Sequence, residues 1–192
     1  RIKHLGVAFR EEEGYALRVH PTLVPHRHML ASVDGVMNAV MVKGDAVGPT
    51  LYYGAGAGAE PTASAVVADM IDVVREFNVE PENRVPYLAF HTDSLSAEPA
   101  LPIRDVETAY YLRLSARDEP GVLADVARVL GDFGISIEAI IQKQPEAGAE
   151  LVPVILLTHR IHERHMDAAI ERLERLEQVQ DRVVRIRVES LE

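Results

Sequence analysis

Residues 110–141 read YYLRLSARDEPGVLADVARVLGDFGISIEAII, and their changes of period decide the fold. Tyr110 to Ala116 alternates as a strand does. Val122, Leu123, Val126, Val129, Leu130 and Phe133 then form a helical stripe, closed by Gly134. Ile135 to Ile141 returns to a strand-like, isoleucine-rich run. Further on, Leu151 to Thr158 reads as a buried strand. Met166, Ala169, Ile170, Leu173 and Leu176 make a second helical stripe, and Val183 to Val188 a last strand. The order is βαββαβ, a split-βαβ unit whose helices pack on one face of an antiparallel sheet.

Upstream, residues 35–69 read GVMNAVMVKGDAVGPTLYYGAGAGAEPTASAVVAD. Val36 to Val42 and Thr50 to Tyr53 pair around Lys43-Gly44-Asp45, and a glycine-alanine turn leads into a helix. Its apolar positions are Ala63, Val66, Val67, Met70, Ile71, Val74 and Phe77, one amphipathic stripe, with Pro61 or Thr62 in the first turn. Before it, residues 2–9 and 15–24 are apolar-rich runs split by Glu11, Glu12, Glu13 and Gly14, the pattern of a hairpin. Residues 78–106 hold Pro81, Pro86, Pro99 and Pro102. They read as a connection with room for one short strand, Val85 to Phe90. The fold class is therefore α+β: a mixed-sheet remnant followed by a ferredoxin-like βαββαβ unit.

The chain has 192 residues, 47% hydrophobic and 26% charged, enough for one large domain or two small ones with a packed core. A formal net charge of -10 argues against a nucleic-acid partner, which needs a basic face. No apolar run reaches the roughly 20 residues of a membrane span, so no membrane partner is expected. With no cysteine, disulfide and thiol chemistry are excluded. Nothing signals export, and the expected location is cytoplasmic. The strand-like opening at Arg1 reads as a boundary within a longer protein.

Two motifs carry chemistry. Gly54-Ala55-Gly56-Ala57-Gly58-Ala59 satisfies the dinucleotide pattern G-x-G-x-x-A in name only. The preceding strand belongs to a hairpin, and the acidic candidates Asp69 and Asp72 lie within the helix. A tight strand-to-helix turn explains it, one able to touch a ligand held mainly by another domain. Asp118-Glu119-Pro120-Gly121 sits between a strand and a helix. Its open N–H groups suit a carboxylate, and Asp118 suits an ammonium. On spacing alone, a plain N-cap by Asp118 is the more ordinary reading. His162 and His165 share a helix face and His26 and His28 flank an arginine, but no further ligand completes a metal cage. No metal is expected.

VHPTLVP, LASVDGVMNAVMVKGDAVG, YYGAGAG and PTASAVVAD, within residues 1 to about 78, resemble the C-terminal part of the homoserine dehydrogenase catalytic region. DEPGVLADVARVLGDFGISIEAIIQ and its surroundings, residues 110–188, resemble an ACT domain. The resemblance implies residues 1–78 as the end of the catalytic and dimerisation domain, 79–108 as linker and 109–192 as ACT regulatory domain. It implies an oxidoreductase interconverting L-aspartate 4-semialdehyde and L-homoserine with NADP or NAD, on the route to threonine, methionine and isoleucine. It also implies a homodimer or larger oligomer under feedback by an amino-acid effector, threonine first. The family's Rossmann domain and catalytic lysine would lie upstream, so no catalytic residue is assigned and the chain alone is expected to be inactive. The glycine turn before PTAS, at Gly58 and less strongly Thr62, would be a surviving cofactor contact. The effector loop would map onto Asp118, Gly121, Val122 and Leu123, with Ile135, Ser136 and Ile137 on the facing strand. Two other readings compete: a non-enzymatic amino-acid-binding module, and a structural dimerisation unit whose ACT domain binds nothing.

Overall fold

A computed structural model describes residues 1–77, 79–80, 84, 90, 92–142 and 150–191. The chain forms two compact units, Arg1–Ala31 with Glu98–Glu192, and Ser32–Ala97. The expected strand at Val85–Phe90 lies outside the described residues but for its last.

The first unit opens with a hairpin, β1 (Ile2–Glu11) and β2 (Gly14–Leu23), paired in register from Ile2↔Leu23 to Glu11↔Gly14. After residue 98 come β5 (Glu107–Arg117), α2 (Val122–Asp132), β6 (Ile137–Gln142), β7 (Leu151–Thr158), the two-residue β8 (Ile161–His162), α3 (Glu163–Leu173) and β9 (Val179–Val188). This is the βαββαβ order, with β8 an added short strand against the start of β5. The main sheet runs β1-β2-β9-β5-β7-β6. Its pairs are antiparallel except β2 with β9.

Period-2 burial builds one wall of the core. Tyr110, Leu112, Leu114 and Ala116 on β5 face inward, with Val152, Val154 and Leu156 on β7. The helical stripes supply the other wall through Val122, Val126, Val129 and Leu130 on α2 and Met166, Ala169 and Leu173 on α3. Leu123, Phe133, Ile170 and Leu176 pack at its margin. Gly134 ends α2 in the left-handed region, with φ 72°. The Ile135 N–H donates to Leu130 O at 3.0 Å across that turn, and Ile135 drops into the core.

These units cut the chain differently from the 1–78, 79–108, 109–192 division expected from resemblance. Backbone bonds are the reason. β2 meets β9 at Thr22↔Arg187 and Leu23↔Val188. At its other end Tyr15 N–H donates to Pro99 O at 3.1 Å, and Leu101 N–H to Tyr15 O at 2.8 Å. The first hairpin is thus hydrogen-bonded into the sheet of the βαββαβ unit.

The second unit holds β3 (Met37–Gly44), β4 (Gly48–Ala55) and α1 (Ala59–Glu76). β3 and β4 form the expected antiparallel hairpin, its return eased by Gly48 at φ 74°. The stripe expected on α1 is present but uncovered: α1 buries no residue, and Met70 stays 63% exposed.

Candidate functional site

The β5–α2 turn is built by Pro120 and Gly121. Gly121 is the N-cap of α2, at φ 98° and ψ -22°, a left-handed conformation that costs a side-chain-bearing residue about 1–2 kcal/mol. No side chain caps the helix. The first-turn N–H groups lack intrahelical acceptors by construction, so this end of α2 presents donors and the positive end of its dipole. The plain-cap reading of Asp118 is therefore replaced. Asp118 instead accepts a 2.9 Å hydrogen bond at Oδ1 from the Gln142 side-chain amide.

A pocket of about 190 Å³ opens at this turn. Asp118, Gly121, Val122 and Leu123 line it, as do Arg117 and Glu119, whose charges are 3.8 Å apart. Ala116, Val152 and Val154 form its apolar floor, and Gln142 closes one side. The volume is below the roughly 300–1,000 Å³ of pockets for drug-sized ligands and suits a molecule of amino-acid size. Donors on the α2 end, a carboxylate at Asp118 and an apolar floor are complementary to a zwitterion with a short side chain.

Four of the seven expected effector residues thus come together. Ile135, Ser136 and Ile137 do not join them. Ile135 is buried at the α2 terminus, and Ser136 O accepts from the His159 N–H at 3.0 Å. β6 reaches the pocket through Gln142, at its far end. The reason is topological. β6 and β5 are each antiparallel to β7, so they run parallel to one another. The end of β6, not its start, lies beside the loop that leaves β5. The split-βαβ order contained that signal.

Gly58 and Thr62 lie in the other unit. Gly58 is the N-cap of α1 at φ 118°, and its carbonyl accepts the Thr62 N–H at 3.2 Å. Both are exposed on a single turn. A Cβ on Gly58 would meet Pro61 at 3.4 Å. One such turn is not a dinucleotide cleft. Among the described residues no group of three or more His, Cys, Asp or Glu could hold a metal ion. None of the described helices is long and apolar enough to cross a membrane.

The homoserine dehydrogenase family model matches residues 1–71, and the ACT domain model matches residues 110–178. The chain is similar to the C-terminal region of homoserine dehydrogenases. It is 63% identical over 191 residues to homoserine dehydrogenase of Pseudomonas aeruginosa and 50% identical over 193 residues to that of Neisseria gonorrhoeae. All of this chain is covered in both comparisons, but only 44% of either relative. The crystal structure of a homoserine dehydrogenase from Thiobacillus denitrificans superposes with a TM-score of 0.91 at 58% identity, over 100% of this chain and 43% of that one. The chain therefore spans less than half the length of the relatives it matches.

Proposed function

We propose that this chain is the regulatory, C-terminal portion of a homoserine dehydrogenase that interconverts L-aspartate 4-semialdehyde and L-homoserine with NADP or NAD, in threonine, methionine and isoleucine biosynthesis. The pocket at the β5–α2 turn is its amino-acid sensor, with threonine the first candidate. The observation that carries the sensor reading is that the left-handed Gly121 turn, with no side-chain cap, and Asp118 line one pocket of amino-acid size. The ligand carboxylate would lie on the α2 N–H groups, its ammonium near Asp118, and its side chain on Val152 and Val154. Asp118 and Gln142 already share a hydrogen bond, so Gln142 holds the carboxylate in place. Nucleotide binding belongs to residues outside this chain. Gly58 and Thr62 would supply one contact to the cofactor, which carries the hydride. A cytoplasmic homo-oligomer, dimer or larger, completes the proposal.

A ligand that binds only the folded form raises the melting temperature. Threonine, serine, isoleucine, methionine and lysine are to be compared by thermal melts of the intact oligomer. Threonine is expected to give the largest shift. Gly121→Asp abolishes it, because it adds a side chain and a negative charge where the ligand carboxylate lies. Asp118→Asn weakens it. Circular dichroism checks that both variants fold. No shift with any of the five, or a full response in Gly121→Asp, overturns the sensor reading.

A further inference from the structure

The hairpin β1–β2 lies inside the stretch that matches the homoserine dehydrogenase family, yet it hangs on the ACT sheet by a short ladder. β2 is registered with β9 only at Thr22↔Arg187 and Leu23↔Val188, extended by Glu189 N–H to Leu23 O at 3.0 Å. β1 and β2, by contrast, are registered along their full length. The apolar core of the ACT unit takes none of its buried residues from β1 or β2.

At the other end of β2, Tyr15 exchanges backbone hydrogen bonds with Pro99 and Leu101, and between the two ends the buried side chains of β2 are Ala16, Arg18, His20 and Thr22, mostly polar. Arg18 and His20 are on the buried face of β2, 5% and 8% exposed. Arg18 is ion-paired with Glu189 and lies 5.3 Å from the Phe9 ring centroid. Beside this pair, Arg187 forks onto Glu163, with Nε 3.0 Å from Oε2 and Nη2 on Oε1. Glu163 also accepts from Tyr110 OH at 2.8 Å and pairs with Arg185 at 3.1 Å. Arg18 Nε and Nη1 and His20 Nε2 are buried with no hydrogen-bond partner among the described residues. Buried ion pairs gain little over their desolvation cost, and each unpartnered donor is a net loss.

We propose that the β1–β2 hairpin is a releasable lobe of the ACT unit, held at a seam by the Arg18–Glu189 pair and able to detach while the ACT core stays folded. Detachment separates the sensor sheet from a segment of the enzyme family, so the seam is a point at which one can act on the other. The proposal does not depend on which ligand fills the pocket.

Hydrogen exchange read by mass spectrometry tests it on the whole 192-residue chain at neutral pH. In the wild type, amides of residues 2–23 exchange faster than those of β5 and β7. Glu189→Gln leaves Arg18 without its charge partner, and exchange in residues 2–23 is expected to rise about tenfold or more, with β5, β7 and α2 unchanged. The apolar pair Arg18→Met/Glu189→Leu is expected to restore protection. Equal acceleration in β5 and β7, or failure of Glu189→Gln to fold, shows the seam to be part of the global core and overturns the proposal. An unchanged hairpin, or an apolar pair as loose as Glu189→Gln, overturns it equally.

Discussion

His20 shows how one residue ties stability to pH. Its pKa is lowered from 6.5 to about 4, first by burial and then by Arg187 and Arg18, with a smaller contribution from His4 and with Glu163 opposing. These groups lie on β9, β2, β1 and α3, so several elements hold His20 neutral in the folded unit. The unfolded chain takes up a proton below its ordinary pKa, whereas the folded chain does not until about pH 4. The stabilisation is therefore complete above pH 6.5 and is lost as pH falls toward 4. Urea midpoints at pH 7.5 and pH 5.0 should differ in that direction, and His20→Gln should shrink the difference. An undiminished difference in His20→Gln would assign the effect to other groups. Glu163 was invisible as a partner at this scale. A glutamate in the first turn of a helix reads as a solvated residue favouring the dipole, yet here it is 4% exposed and receives Tyr110, Arg185 and Arg187.

At the scale of elements, two helices with the same period met different fates. The stripe of α2 is buried against β5 and β7. That of α1 is exposed at Val66, Val67, Met70, Ile71, Val74 and Phe77. Periodicity states that a face is apolar and cannot state what covers it. The β3–β4 hairpin adds exposed Val40, Val42, Tyr52 and Tyr53. Apolar surface on this scale marks an association site, so the chain should self-associate. Light scattering at micromolar concentration should give the mass of a dimer or larger, and a monomeric mass would count against the proposed oligomer. The turn elements were more legible. Gly134 closing α2 and the glycine-alanine turn leading into α1 followed from turn chemistry alone. The DEPG turn was located correctly, but its cap is Gly121 and not Asp118, because Asp118 had a better partner in a strand distant in sequence.

For the molecule as a whole, the proposed activity has a direct consequence. On the proposed reading this chain supplies a single glycine turn to the cofactor, and one turn does not replace a cleft. The purified 192-residue chain should not oxidise homoserine with NADP or NAD, while a chain of the relatives' length carrying this sequence should. Turnover by the 192-residue chain alone would relocate the active site into residues described here. The βαββαβ order, the two hairpins, the helix stripes and the position of the β5–α2 turn were legible in the sequence. Each depends on side-chain period and turn residues within some ten or twenty positions of one another. Strand neighbours outside the hairpins were not legible, because such pairing depends on contacts between residues far apart in the chain. Only the tertiary structure joined β2 to β9 and drew residues 1–31 into the ACT unit. By running β6 parallel to β5, it also put Gln142 at the pocket in place of Ile135, Ser136 and Ile137. Local chemistry chose the elements, and long-range hydrogen bonding and burial chose which of them meet.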